Sequence, residues 1–468
     1  MEDGKKKLGL NKRIVILGAG PAGLSVAEHL IEQGLEVFVY DRGKTKDNFY
    51  SARGKPIDAD FNAGGIGGST HTWGGQLLRL NESDRNNWLK FDGVEEEFLE
   101  KIEECTDEIL KRLGEMIPRC NQYYSEKSDG SFWRVTGSQI LSEKNIDKIF
   151  QTTIENPKFI YTEGVSAVRF QTEEANLFLI LSSGEKISLS QCYVFLALGA
   201  IENTALLMRS APFISKLNHQ ELGRNLQDHP HGIVMKVNGF GGPFNAKRKL
   251  LLTPQNCDKK KIEIKFERDG FTKSAIMELH EKVYDTTILT DCKVLFNSFE
   301  IKRLSKLCSR VFLKALSSLF KREVYIEFAE VWIQYEQSRE TCSRIFVDAE
   351  IKYEWSQNED DLRFVNQFTE EIEKYLTNLG LTVFDRIRFN EVSELNDWSS
   401  EAYHPSGTIP LGSNADVGIA DLAGSVHVLP NAYVVGSALF PTGGWFNPTL
   451  VIMAMSRAVA KEFIRKSL

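Results

Sequence analysis

Apolar positions in the first fifty residues change their spacing twice. An apolar β-branched run over 14–17 is followed by a glycine-rich turn, by apolar residues at helical spacing over 24–33, and by a second apolar run over 36–40. Short apolar runs favour buried strands, whereas a spacing of three and four residues favours an amphipathic helix. The pattern therefore predicts a βαβ unit over 13–43.

The remaining pattern predicts a mixture of strands and helices. Alternation over 160–190 predicts a β-meander, and the apolar run 194–198 predicts a strand that returns to the first sheet. The other predicted elements are turns or extended chain over 50–80, helix over 84–115, strand over 323–336, helix over 361–380, and a final helix over 449–465 that starts after Asn447-Pro448.

Composition narrows the function classes. A chain of 468 residues has room for about two to four domains, and its net charge of -7 gives no reason to expect a nucleic-acid partner. The seven cysteines are scattered and show no CxxC or zinc-finger spacing, which favours a reducing compartment. No apolar stretch approaches the ~18 residues needed to span a membrane. We therefore expect a cytoplasmic enzyme.

The glycine-rich turn Gly18-Ala19-Gly20-Pro21-Ala22-Gly23 follows the first strand and opens the first helix. Gly18 permits the tight turn, Gly20 lets the backbone approach a pyrophosphate, and Gly23 allows close packing of the helix. Asp41, at the end of the second strand, would bind the ribose hydroxyls. The unit predicts dinucleotide binding, and the motif does not separate FAD from NAD.

The chain resembles the glucose-methanol-choline (GMC) oxidoreductase family, and the resemblance runs in order along the sequence. It is faint in the middle of the chain. It rests on VILGAGPAGL over 15–24, GGSTHTWGG over 67–75, ALGAIENTALLM over 197–208, GRNLQDHP over 223–230, and nearly everything from 404 onward. The family binds FAD, so the resemblance implies FAD and not NAD.

The resemblance also implies the residues that contact the cofactor. Gly67, Gly68, Ser69 and Thr70 would pack against the flavin, since glycine and small hydroxyl residues let backbone N–H groups reach it. The other implied contacts are Val165, Gly199, Gly436, Ser437, Asn447, Pro448 and Thr449. Some members link FAD covalently through a histidine just before the position of Trp73, but Thr72 stands there and His71 is displaced by one. We expect non-covalent FAD.

Catalysis is predicted to rest on His404, with Asn447 as its partner. Hydride can leave an alcohol carbon only if the hydroxyl proton is removed at about the same time, and histidine is suited to accept it near neutral pH. His404 resembles the base of the family, and Asn447 resembles the residue that hydrogen-bonds the same substrate oxygen. The pair His229 and His231 could suggest a metal, but no third ligand accompanies it, and the resemblance implies a structural, flavin-adjacent segment.

The predicted fold is a discontinuous α/β FAD-binding domain of Rossmann type plus an α+β substrate-binding domain with an antiparallel sheet. The FAD-binding domain would comprise 11–80, 156–235 and 411–468, and the substrate domain 81–155 and 236–410. The expected activity is oxidation of an alcohol, with a sugar, polyol or glycosylated metabolite as substrate and oxygen or another electron acceptor. A hydroxynitrile-lyase type of reaction and a non-catalytic FAD-binding protein are the alternatives.

Residues 301–322 depart from the family pattern. The segment contains no acidic residue, and its apolar positions fall at helical spacing opposite a basic face. Such a helix can lie on an anionic membrane surface, giving a weak peripheral contact. The alternative is a helix packed on the substrate domain with its basic face in water.

Overall fold

The computed structural model describes residues 12–44, 50–52, 55–56, 64–73, 75–80, 82–113, 123–128, 131–136, 139–140, 146–214, 220–238, 261–268, 271–283, 326–339, 343–348, 350–378, 380–444 and 446–467. The segment 301–322, for which two placements were expected, lies outside the described residues. Within the described part, no helix is long and apolar enough to cross a membrane.

The strands are β1 (Arg13–Leu17), β2 (Val37–Asp41), β3 (Tyr50–Ala52), β4 (Lys55–Pro56), β5 (Gln76–Leu77), β6 (Tyr123–Ser128), β7 (Ser131–Thr136), β8 (Gln139–Ile140), β9 (Phe159–Glu163), β10 (Ala167–Glu173), β11 (Asn176–Leu181), β12 (Lys186–Ser188), β13 (Cys192–Leu196), β14 (His231–Asn238), β15 (Lys261–Arg268), β16 (Phe271–Val283), β17 (Ile326–Tyr335), β18 (Arg344–Val347), β19 (Ile351–Glu354), β20 (Thr382–Arg386) and β21 (Ala432–Val434).

The helices are α1 (Pro21–Glu32), α2 (Glu82–Trp88), α3 (Glu96–Arg112), α4 (Ile146–Ile149), α5 (Gln151–Ile154), α6 (Ala200–Ser210), α7 (Glu359–Asn378), α8 (Val392–Trp398) and α9 (Thr449–Ser467), with short 3-10 turns at Gly68–Thr72, Ala211–Phe213 and Ser437–Leu439.

A parallel sheet with strand order β21-β13-β1-β2-β9 forms the first layer. Its strands are nearly continuous apolar runs, as expected where both faces are covered. Ile16 on β1 lies opposite Phe195 on β13, which confirms that the chain returns to the first sheet there. The predicted β-meander is also present, as an antiparallel sheet of order β10-β11-β12.

The helices α1, α3 and α9 pack on one another beside the parallel sheet. Phe98 on α3 and Phe463 on α9 belong to the same buried cluster as the strands. The buried carboxylate of Glu28 on α1 pairs with Arg112 of α3 and with Arg457 of α9, the latter at 3.3 Å. The sequence-based division assigned α3 to the substrate domain (81–155), whereas these contacts join it to the parallel-sheet core.

The second layer is an antiparallel sheet of order β20-β14-β17-β16-β15-β7-β6, with α7 packed on it. Apolar residues of α7 at helical spacing, Val365, Phe368 and Ile372, are fully buried against Val331 and Ile333 of β17. A smaller sheet, of order β18-β19-β3-β4, joins strands from residues 50–56 to strands from residues 344–354. The two-domain organisation predicted from the sequence is therefore present, and the exact domain boundaries stay predictions.

Candidate active site

The three glycines of the turn between β1 and α1 have three different surroundings. Gly18 has a φ of +98°, and a Cβ added there would lie 2.5 Å from the carbonyl oxygen of Ala197. A Cβ on Gly23 would lie 2.0 Å from the carbonyl oxygen of Gly18, so α1 packs directly on the turn. At Gly20 an added Cβ meets nothing within 4 Å. Gly20 is therefore the glycine that leaves room for a ligand at the N-terminus of α1.

The carboxylate of Asp41, at the end of β2, holds this turn in place. One oxygen accepts the N–H of Ala19 at 2.8 Å, and the other accepts the N–H groups of Gly43 at 2.8 Å and Gly65 at 2.7 Å. Asp41 also lines the cavity described below. A carboxylate oxygen accepts more than one hydrogen bond, so the predicted contact with ribose hydroxyls is compatible with these bonds.

A single cavity of about 530 Å³ connects the glycine turn with His404. The residues that line it include Gly20 and Asp41 of the βαβ unit, Ser69 and Thr70 of the 3-10 turn, and His404. Most of the predicted cofactor-contacting residues are among those that line it, namely Gly18, Gly20, Asp41, Gly68, Ser69, Thr70, Val165, Gly199, Gly436, Ser437, Pro448 and Thr449.

Three predicted residues are not among the described residues that line this cavity: Gly23, Gly67 and Asn447. Gly23 serves the packing of α1. Gly67 has a φ of +93° and donates its N–H to the carbonyl oxygen of Ala19 at 2.9 Å, which ties the 3-10 turn to the glycine turn. Asn447 is half-buried directly before Pro448 and α9.

His404 sits in a backbone segment held by the buried carboxylate of Asp228. Asp228 accepts the N–H of His404 at 3.1 Å and that of Ala402 at 3.2 Å, and it also accepts the N–H of His229 at 2.6 Å. Between Ala402 and His404, Tyr403 has a φ of +60°, a conformation that costs energy for a non-glycine residue. The three hydrogen bonds to one carboxylate fix this turn and so fix the direction of His404.

Asp228 is 5% exposed, and its burial, with a smaller contribution from Glu401, raises its pKa to about 7. Its backbone hydrogen bonds act in the opposite direction. The hydroxyl of Tyr353 donates to Glu401 at 2.6 Å, and burial together with Glu401 raises the pKa of Tyr353. The part of the cavity near His404 therefore carries carboxyl and phenol groups next to the imidazole.

Gln227 joins the loops that surround His404. Its backbone exchanges hydrogen bonds with Ser406 at 3.0 and 3.1 Å, and its side-chain oxygen accepts the N–H of Gly443 at 3.0 Å. The segments 226–231, 400–408 and 440–444 are thus joined by hydrogen bonds, although they are far apart in the sequence.

The sequence-based reasoning missed Asp228, Glu401 and Tyr353, all of which line the cavity. Asp228 lies inside the quoted GRNLQDHP segment, but nothing in the local pattern distinguishes a buried carboxylate from a polar turn residue. The alternation of β19 and the residue after it, with Ile351, Tyr353 and Trp355 buried, could have indicated that Tyr353 faces inward.

Among the described residues, no group of three or more histidine, cysteine or acidic side chains could hold a metal ion. A dinucleotide cofactor suits the cavity better. The open space at Gly20 and the N-terminus of α1 can accept a pyrophosphate, and the small residues Gly68, Ser69 and Thr70 line the same cavity. The residues present therefore fit FAD.

Comparison with known proteins gives a family match and similar folds. Residues 343–456 match the model of the GMC oxidoreductase family. Over 110 residues the chain is 30% identical to a paromamine 6'-oxidase of Streptomyces fradiae, and this match spans only 23% of the chain and 19% of that oxidase.

Two solved structures share the fold over nearly the whole chain. A pyridoxine 4-oxidase from Mesorbium loti superposes with a TM-score of 0.59 at 16% identity, covering 97% of this chain and 99% of the other. A formate oxidase of Aspergillus oryzae gives 0.57 at 14% identity, covering 98% of each chain. The resemblance to the GMC oxidoreductases is therefore confirmed, and the chain has the two-domain fold of these oxidases.

Proposed function

We propose that the protein is an FAD-dependent oxidoreductase that oxidises the CH–OH group of a small molecule, with His404 as the base. The observation that carries the proposal is the single cavity lined both by the open glycine turn at Gly20 and by His404. The FAD-binding site would use the Rossmann-type turn after β1, together with Asp41 and the 3-10 turn at 68–72.

FAD, when bound, supplies the acceptor for the hydride that leaves the alcohol carbon. The chain supplies the rest of the chemistry. His404 accepts the hydroxyl proton, and Asp228 holds the backbone of His404 so that the imidazole keeps its direction. The contact of Asn447 with the substrate oxygen rests on the resemblance alone, since Asn447 is not among the described residues that line the cavity. The walls formed by Tyr353, Trp355 and Glu401 would close the substrate end against water.

The proposed substrate is a sugar, a polyol or a glycosylated metabolite, and the electron acceptor is oxygen or another acceptor. The family breadth supports this class, and a relative named paromamine 6'-oxidase supports a substrate with a sugar-like hydroxyl. Carboxylates near His404 also favour polar substrates over apolar ones, since Asp228 and Glu401 line the same cavity. A cytoplasmic location and a weak membrane contact through 301–322 stay predictions.

The test is anaerobic bleaching of the bound flavin by a panel of sugars, polyols and amino sugars that includes paromamine, pyridoxine and formate. Admission of air then separates an oxidase from a dehydrogenase by the rate of reoxidation. A lyase, or a protein that only binds FAD, would leave the flavin oxidised with every compound that it turns over or binds.

His404→Ala tests the residue assignment with any compound that bleaches the wild-type protein. FAD should stay bound, and flavin reduction should slow by about two to four orders of magnitude, which corresponds to about 3 to 5 kcal/mol in activation free energy. Asn447→Ala should slow the reaction less, because it removes a hydrogen bond and not the proton acceptor.

The matched control is His427→Ala, since His427 lies away from the cavity and hydrogen-bonds the carbonyl oxygen of Gly412 at 3.0 Å. This variant should reduce its flavin at the wild-type rate. Wild-type flavin reduction in His404→Ala would mean that another residue is the base.

A further inference from the structure

A second histidine, His229, lies directly against His404. Their two Nδ1 atoms are 3.2 Å apart, and the rings meet edge to face with centroids 5.1 Å apart. His229 is 1% exposed, and it is not among the described residues that line the cavity. It therefore cannot be expected to contact the substrate, and any effect that it has on the reaction must pass through His404.

Both ring nitrogens of His229 have partners that determine where its proton sits. Its Nε2 lies 3.1 Å from the carbonyl oxygen of Gly443, which can only accept a hydrogen bond, so Nε2 carries the proton. Its Nδ1 lies 3.2 Å from the amide nitrogen of Gln334, which can only donate, so Nδ1 carries a lone pair, and this one lone pair faces both Gln334 and His404. The two contacts agree on one neutral tautomer of His229.

This tautomer dictates the protonation of His404. Because His229 Nδ1 is an acceptor, the Nδ1 of His404 that faces it at 3.2 Å must be a donor. A neutral imidazole with its proton on Nδ1 has its lone pair on Nε2. We propose that His229 is a positioning residue that holds His404 in the Nδ1–H tautomer, so that Nε2 is the atom that accepts the substrate proton; the consequence for catalysis rests on the function proposed above.

The hydrogen bond also helps after proton transfer. The substrate O–H bond breaks as the proton joins His404 Nε2, and the resulting imidazolium still donates from Nδ1 to the neutral His229. The two hydrogen bonds, from His404 to His229 and from His229 to the carbonyl oxygen of Gly443, can therefore form whether His404 is neutral or protonated. The tautomer of His229 does not change.

The spacing of the two rings is set by the backbone. Asp228 accepts the N–H groups of both His229 and His404, so one carboxylate anchors both histidines. Glu401 acts on Asp228, and Glu401, Asp228 and Tyr403 act on Tyr353. His229 can be changed without removing any of these groups, which makes its contribution separable from theirs.

The tautomers can be measured without a substrate. The FAD-loaded protein, labelled with ¹⁵N-histidine, is examined above neutral pH by long-range ¹⁵N–¹H correlation spectroscopy, which separates protonated from unprotonated ring nitrogens. The His404 and His229 signals are assigned by their loss in His404→Gln and His229→Gln. We expect the proton on Nδ1 in His404 and on Nε2 in His229. A wild-type His404 with its proton on Nε2 would overturn the proposal.

Gln334 offers a sharper perturbation with a matched control. Gln334→Glu replaces the donor beside His229 Nδ1 by an acceptor, which should draw a proton onto Nδ1. His404 then loses its acceptor, and its spectrum should change from the Nδ1–H to the Nε2–H tautomer. Gln334→Met has a similar length without a polar group and should keep the wild-type tautomer of His404. An unchanged His404 spectrum in Gln334→Glu would contradict the proposal.

The outcomes separate the inference from the proposed function. If the wild-type protein shows the expected tautomer but His404→Ala still reduces its flavin at the wild-type rate, the proposed base is refuted and the tautomer assignment stands. An Nε2–H tautomer in a protein that needs His404 would refute the role of His229 alone. The wild-type spectrum decides this even where a variant fails to fold.

Discussion

Substitution of the three glycines between β1 and α1 should separate folding from cofactor binding. Gly20 has a φ of -76°, which any residue can adopt, and an added Cβ meets nothing within 4 Å. Gly20→Val should therefore cost at most about 1 kcal/mol in the free energy of unfolding, through a poorer helix N-cap. The valine side chain projects into the open space, and FAD should bind at least about a hundredfold more weakly, a loss of about 2.7 kcal/mol.

Gly23→Ala should have the opposite effect. Its Cβ would lie 2.0 Å from the carbonyl oxygen of Gly18, so the helix or the turn must move. Overpacking of this kind costs about 1 to 3 kcal/mol in stability. FAD should bind weakly here as well, but only together with a lower melting temperature of the FAD-free protein.

The assay has two parts, both made on protein stripped of FAD. Thermal unfolding gives the stability of each variant, and titration with FAD, followed by quenching of flavin fluorescence, gives the affinity. Gly184→Ala is the control for a loss of stability away from the cavity: Gly184 has a φ of +86°, so alanine is strained there, but an added Cβ meets nothing within 4 Å, and FAD should bind with wild-type affinity. Full FAD occupancy in Gly20→Val would show that the phosphate turn is placed wrongly.

Two further predictions concern the cofactor and Asp228. Acid denaturation should release FAD into the supernatant, because Thr72 stands where some relatives carry a flavin-linking histidine; flavin that stays with the precipitated protein would refute non-covalent binding. Asp228 has its pKa raised to about 7 by burial and by Glu401, so the folded protein retains a proton that the unfolded chain releases. Its contribution to stability is therefore full below about pH 4 and is lost as the pH rises to about 7, by about 4 kcal/mol at most. Asp228→Asn should flatten this decline, and parallel melting-temperature profiles of variant and wild type between about pH 4 and 8 would contradict the assignment.

The sequence predicted those parts of the fold that local patterns determine. The βαβ unit, the meander and the last helix were found within a few residues of their bounds. The first helix begins at Pro21, three residues before the predicted start, because Gly20 caps it and proline is tolerated at the first helical position. The spacing of apolar residues alone does not indicate a capping glycine or a proline at the first helical position.

Long-range contacts were the part that the sequence could not supply. The pairing of β3 with β19 joins Tyr50 to Ile351, and neither strand carries a signal for the other. The same reason explains the candidate site. His404 was predicted from the motifs around it, whereas Asp228 and the contact with His229 depend on how segments 175 and 176 residues apart meet.

The position of β21 in the parallel sheet constrains when the cavity can form during folding. β21, from residues 432–434, lies on the far side of β13 from β1, and α9 packs on α1, so the nucleotide-binding elements over 13–41 are completed by elements far away in the sequence. Closing so long a loop is slow and entropically costly. The cavity, which Gly436, Ser437, Pro448 and Thr449 help to line, is therefore complete only after β21 has paired with β13 and α9 has packed on α1.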